Sequence, residues 1–167
     1  LRKELPKWRI STHDSFEVPS EKLFVAIWSL AELAYFYARR AKILAHANNV
    51  TVPHPRPEGR SNPQRKLNAE TELVLQHWGI VSAICWLCID LCKGLSAAYS
   101  DFEVSARVKC NTLYGLALGY LSRFSEAHRR LNEGHALLSR SRSGLKGTEF
   151  SVLHLRRAEV FLSQAEV

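Results

Sequence analysis

Apolar side chains recur every three to four residues along most of this chain, and the breaks between runs fall at proline, glycine and polar clusters. From Ser20 the run SEKLFVAIWSLAELAYFYARRAKILAHANN puts Leu23, Ile27, Leu30, Ala34, Tyr37, Ala41 and Leu44 on one helical stripe. Pro19 with Ser20-Glu21 reads as the start of this helix and Asn48-Asn49 as its end. Residues 50–66, with four prolines and one glycine, allow neither a helix nor a central strand, because proline fixes φ and removes a backbone donor. They are expected as an exposed loop, basic through Arg56, Arg60, Arg65 and Lys66.

Asn62-Pro63 has the form of a cap followed by proline at the first helical position. A second long helix is expected from there to about Ala98, with Gly79 or Gly94 as points of interruption. Ser100 with Glu103 three residues on has capping-box spacing and opens a third helix through about Leu121. Ser122 to Glu126 is expected as a short turn, and a fourth helix runs to about Ser141. After SRSGLKG, read as a loop, Thr148 and Glu149 open a fifth helix. Residues 1–19 read as a linker or a broken helix. No run alternates in the manner of a strand, so the expected fold is all-α, built of antiparallel helical hairpins.

Composition narrows this picture. A chain of 167 residues with 46% apolar and 23% charged side chains suits one domain, or three to four stacked hairpins, and does not suit wholesale disorder. It has no methionine, begins at Leu1 and runs to Val167 inside a helical pattern without a stop signal, which reads as a piece of a longer protein. No basic start followed by a short apolar core and a cleavage site marks a secretory signal. Three of the four cysteines lie inside an apolar helical run, so a reducing, cytoplasmic setting is expected. The net charge of +7 is concentrated in residues 1–66, which carry twelve Lys/Arg against six acids. That balance permits nucleic-acid contact without specifying it.

The stretch from Lys109 to Ser139 carries a more specific pattern. Gly115 puts a small residue on the third helix, Leu118 follows at the next inward position, and Phe124 supplies an aromatic at the turn. Ala127 is the small residue of the fourth helix, with Leu131 and Gly134 at four- and three-residue steps beyond it. Small residues let two backbones approach while large ones fill the space between. This pattern resembles the tetratricopeptide repeat (TPR), a 34-residue helical hairpin. It departs from that pattern at Tyr114, where leucine is usual, at Ser122, where the turn glycine is usual, and at Ser139, where a proline is common. The fifth helix, with Ala158 as its small residue, resembles the first helix of a next repeat after an inserted loop. Residues 20–98 do not fit the repeat by residue and read as two long leading helices.

The resemblance implies a TPR-like α-solenoid whose successive first helices line a groove that grips a partner. Lys109, Thr112, Leu116 and Tyr120, joined by Arg156, Glu159 and Ser163, would then face that groove. The clamp by which some such arrays hold a C-terminal carboxylate is not matched, since Thr112 and Leu116 occupy key places. The resemblance also implies that the partner is another protein or another domain of the same chain, and that the array serves as scaffold or as sensor arm of a larger signalling or defence protein. Self-association is expected where the array is cut.

Chemistry-bearing patterns are few. Cys85, Cys88 and Cys92 share one helical face, as thiolates around zinc or an iron–sulfur cluster must, with Cys110 or His77 as a fourth ligand. Their apolar surroundings favour core packing instead, and no cofactor is expected. His128 and His135 are seven apart on one face, but no H-E-x-x-H occurs, nor a phosphate-binding glycine loop, nor G-x-S-x-G. No enzymatic activity is expected. Residues 73–89 lack charge, yet Gln76, His77 and Ser82 interrupt them, so a central helix buried on most sides is expected rather than a membrane span. The pairs Arg39-Arg40, Arg129-Arg130 and Arg156-Arg157 read as solvated faces, with phosphate contact and nucleic-acid binding as the alternative.

Overall fold

The computed structural model describes residues 20–50, 69–95, 100–140 and 148–165, and within these it is all-α. Helix α1 spans Ser20–Ala47, α2 Ala69–Leu91, α3 Ser100–Tyr120, α4 Phe124–Arg140 and α5 Thr148–Ala165. The expectations for residues 1–19, for most of the proline-rich 50–66 segment and for SRSGLKG lie outside the described residues.

The helices stack as successive hairpins. α1 packs on α2 and α3 on α4; α3 also packs on both α1 and α2, and α5 packs on both α3 and α4. Each odd-numbered helix after the first therefore rests on the hairpin before it. The main core runs through the middle of this stack. It joins Ala34, Ala38 and Ala41 of α1, Val74, Trp78 and Val81 of α2, Leu116 and Leu118 of α3, Ala127 and Leu131 of α4, and Val160 of α5. The three alanines let α1 lie close against α2, and the bulk in that layer comes from Trp78, which is fully buried.

The loops show how the helices end. α1 stops in a Schellman motif: Val50 N donates to Ala45 O at 2.9 Å, Asn49 N donates to His46 O at 3.3 Å, and Asn49 takes a positive φ of 48°. The same device ends α3. Arg123 N donates to Leu118 O at 2.8 Å, Ser122 N donates to Gly119 O at 2.9 Å, and Ser122 has φ of 61°. Ser122 thus takes the left-handed conformation that favours glycine.

Two boundaries differ from the sequence reading. α2 ends at Leu91 rather than near Ala98: the chain tightens into a 3-10 turn at Cys92–Gly94, and Leu95 is extended. Gly94 brings the backbone close to α1, where an added Cβ would lie 3.1 Å from Leu23 Cδ1. Second, Phe124 is the first residue of α4, so the α3–α4 turn is tighter than Ser122 to Glu126.

Nor is α2 buried on most sides. The stretch Ala69–Gly94 is long and apolar enough to cross a membrane by length and composition, and only 39% of its most apolar window is buried. Leu73, Ile80, Trp86 and Leu87 are exposed along it.

Candidate functional site

An open groove of about 440 Å³ lies between α1, α3 and α5. Ala31, Glu32 and Tyr35 of α1 form one wall, Thr112 and Leu113 of α3 the floor with the exposed Lys109 at its rim, and Val152 and Arg156 of α5 the other wall. Three helices far apart in sequence converge here because α3 packs on α1 and α5 packs on α3. The Thr112 hydroxyl is turned back on its own helix, donating to Val108 O at 2.8 Å. That bond satisfies a buried polar group and leaves the floor apolar. Lys109 and Glu32 are both exposed, and neither forms an ion pair among the described residues.

The wall from α5 is tied across to α1. Lys42 Nζ lies 3.2 Å from Glu159 Oε2, and Glu159 is held in turn by Arg156 one turn before it. The carboxylate is thus shared between a lysine of α1 and an arginine of α5. With both side chains of the Lys42–Glu159 pair about a third exposed, its contribution is modest, roughly 0–1 kcal/mol. It links α1 to α5 beside Arg156.

Of the residues expected to face a partner, Lys109, Thr112 and Arg156 line the groove. Leu116 does not. It is 2% exposed and belongs to the main core. Tyr120 is drawn away as well, its ring stacked on Trp78 of α2 with centroids 4.3 Å apart and planes 7° from parallel. Burial pushes the Tyr120 hydroxyl above its ordinary pKa, the Glu159 carboxylate adds to this, and Arg156 opposes it. Glu159 serves the cross-groove ion pair, and the side chain of Ser163 lies outside the described set. The sequence pattern does not mark the α1 wall, because Glu32 and Tyr35 lie off the buried stripe of α1 and only the packing of α3 on α1 brings them to the groove.

The residues carrying the repeat resemblance meet at the α3–α4 crossing. A Cβ on Gly115 would lie 2.6 Å from Leu131 Cγ and 3.1 Å from the Ala127 carbonyl oxygen, so only glycine fits there. Leu118, Ala127, Leu131 and Gly134 are all buried at the same crossing, and Phe124 packs at its edge. Ala158 is exposed, and its outward face carries no helix among the described residues.

The four cysteines are free and buried. Cys88 Sγ sits 3.9 Å from Ile27 O, and its thiol is pushed far above its ordinary pKa by a hydrogen bond with Cys110 and by burial. Cys110 is raised through its hydrogen bond with Cys85, and Cys92 is pushed up to about 11, chiefly by burial. Such thiols are protonated at neutral pH and poor nucleophiles. Among the described residues no group of three or more His, Cys, Asp or Glu is disposed to hold a metal ion.

No family model, curated protein or solved structure matches this chain.

Proposed function

We propose that this chain is a non-catalytic, TPR-like protein–protein interaction module, and that the groove between α1, α3 and α5 takes a peptide segment of another protein or of another domain of the same chain. The observation that carries this reading is the groove's make-up: an apolar floor and walls from three helices, with Tyr35 at one side and the exposed Lys109 and Glu32, in no ion pair among the described residues, at the rim. Apolar walls give contact area, an exposed tyrosine supplies an anchor with little side-chain entropy to lose, and rim charges of both signs select orientation. Function in a cytoplasmic scaffold or sensor arm fits the same reading.

The test is capture from cell lysate with the wild-type chain, a Tyr35→Ala variant and a Lys109→Glu variant, with and without nuclease, at low and high salt. A protein that survives nuclease and is lost from both variants, with their thermal melting unchanged, supports the groove. Tyr35→Ala is expected to weaken binding by about tenfold or more, the effect of truncating an anchor. Retention of the same protein by both variants would place binding elsewhere. Recovery of nucleic acid that is released by salt would replace the proposal with electrostatic nucleic-acid binding.

A further inference from the structure

The surface that holds the groove continues past it at both ends. Two turns before Ala31, Phe24 of α1 meets Phe102 of α3 with ring centroids 4.4 Å apart, and Trp28 lies 6.3 Å from the same ring. In the middle, Ala31 and Tyr35 share the groove with Leu113 of α3 and with Val152 and Arg156 of α5. Two turns beyond Tyr35, Lys42 meets Glu159 of α5. This order of contacts means that α1, α3 and α5 run in the same direction and frame a trough from Phe24 to Lys42, about 27 Å long at the helical rise. Trp28 stands on the groove side of α1, two turns and about 10 Å before Tyr35. Both rings are more than half exposed, Trp28 by 52% and Tyr35 by 57%.

An extended peptide laid in this trough would bring a row of N–H and C=O groups onto it, and buried backbone groups need partners. The floor supplies none. The Thr112 hydroxyl donates to Val108 O, Leu113 is apolar, the Tyr120 ring is stacked on Trp78, and the Glu159 carboxylate is held by Lys42 and Arg156. Among the described residues there is no strand edge for a peptide to extend. An α-helix, by contrast, bonds its own backbone and presents only side chains. Resting on the groove reading above, we infer that the occupant is an amphipathic α-helix of a separate polypeptide. Apolar residues on one face of such a helix repeat over two turns, about 10 Å, which is the spacing of Trp28 and Tyr35. Glu32 and Lys109, exposed and in no ion pair among the described residues, set its charges: a basic residue toward Glu32 and an acidic one toward Lys109. A following hairpin of the same chain is not this helix. It would continue the stack by resting on α5, as α5 rests on α3 and α4, and so falls outside the trough.

Peptide selection on the immobilised full chain tests this with two displayed libraries. One is a helical frame of alanine, glutamate and lysine with a randomised face; the other carries proline at every third position and forms no helix. The helical library is expected to enrich, and a selected peptide, made by synthesis, should gain helical circular dichroism on binding. Trp28→Ala and Tyr35→Ala should each weaken that peptide about tenfold or more, with the chain's thermal melting unchanged. Lys109→Glu should weaken it as well, and exchanging the peptide's acidic residue for lysine should restore binding to that variant. Enrichment from the proline library alone, lost on Tyr35→Ala, would keep the groove as the binding site and overturn the helix. Helical peptides that bind both alanine variants as tightly as the wild type, or no enrichment from either library, would overturn the helix and the groove reading together.

Discussion

At the scale of single residues, Ser122 and Asn49 show how the chain ends a helix without glycine. Both hold positive φ in the same motif, but they are not equivalent. Asparagine visits the left-handed region readily, whereas serine does so at a cost of about 1 kcal/mol, partly offset by whatever its side chain bonds. Ser122→Gly removes that cost and adds backbone freedom to the unfolded chain, for a net gain of a few tenths to about 1 kcal/mol. Ser122→Val, β-branched, should lose about 1–2 kcal/mol. Urea titration of the three chains reads the order directly; a valine variant as stable as the glycine one would mean that the turn relaxes out of this conformation. That Ser122 stands in a glycine's place was legible in the sequence from its offset to Gly115. The two turn hydrogen bonds that hold it there were not, because they depend on where α4 begins.

At the scale of elements, one substitution has opposite expected signs in two helices. Gly79 lies inside α2, and a Cβ built on it meets nothing within 4 Å. Gly79→Ala should therefore stabilise by about 0.5–1 kcal/mol through helix propensity alone. In α3 the same gain at Gly115 is outweighed, since the new methyl would be driven into Leu131 and the Ala127 carbonyl, and Gly115→Ala should cost about 1–3 kcal/mol. Thermal melts of the two variants decide the matter, and equal shifts would show that the α3–α4 crossing is looser than its geometry. The contrast also explains what the sequence could reveal. Periodicity and end signals give α1, α3 and α4 close to their observed limits and the start of α5, because each has a polar boundary on at least one side. For α2 the sequence places the C-terminal end too late because the apolar pattern continues past Gly94, while the close approach of Leu23 comes from another helix; its expected start at Asn62-Pro63 lies outside the described residues.

At the scale of the whole molecule, what escaped the sequence is long-range pairing: Tyr35 joining α3 and α5 around one groove, Lys42 reaching Glu159, and Trp78 claiming the ring of Tyr120. The thiol layer is another such pairing, since Cys110 of α3 joins Cys85 and Cys88 of α2 only when the second hairpin sits on the first. This layer makes the stack sensitive to alkali. In the unfolded chain a thiol loses its proton near 9.0, whereas Cys92 holds its proton up to about 11 in the fold, and Cys88 and Cys110 hold theirs beyond that. Below the unfolded value both states keep the proton and the thiols add no pH dependence. Above it the unfolded chain has released protons that the folded chain retains, so stability falls as pH rises, by about 1.4 kcal/mol per pH unit for each such thiol. Tyr120, also raised, adds to the decline above 10.0. Comparing wild type with Cys92→Ala isolates one contribution: the variant's urea midpoint should fall less steeply between pH 9.0 and 11 while differing little in slope near neutrality. Parallel curves for the two chains would mean that Cys92 ionises in the fold as it does in water, and that α2 and α3 do not close over it.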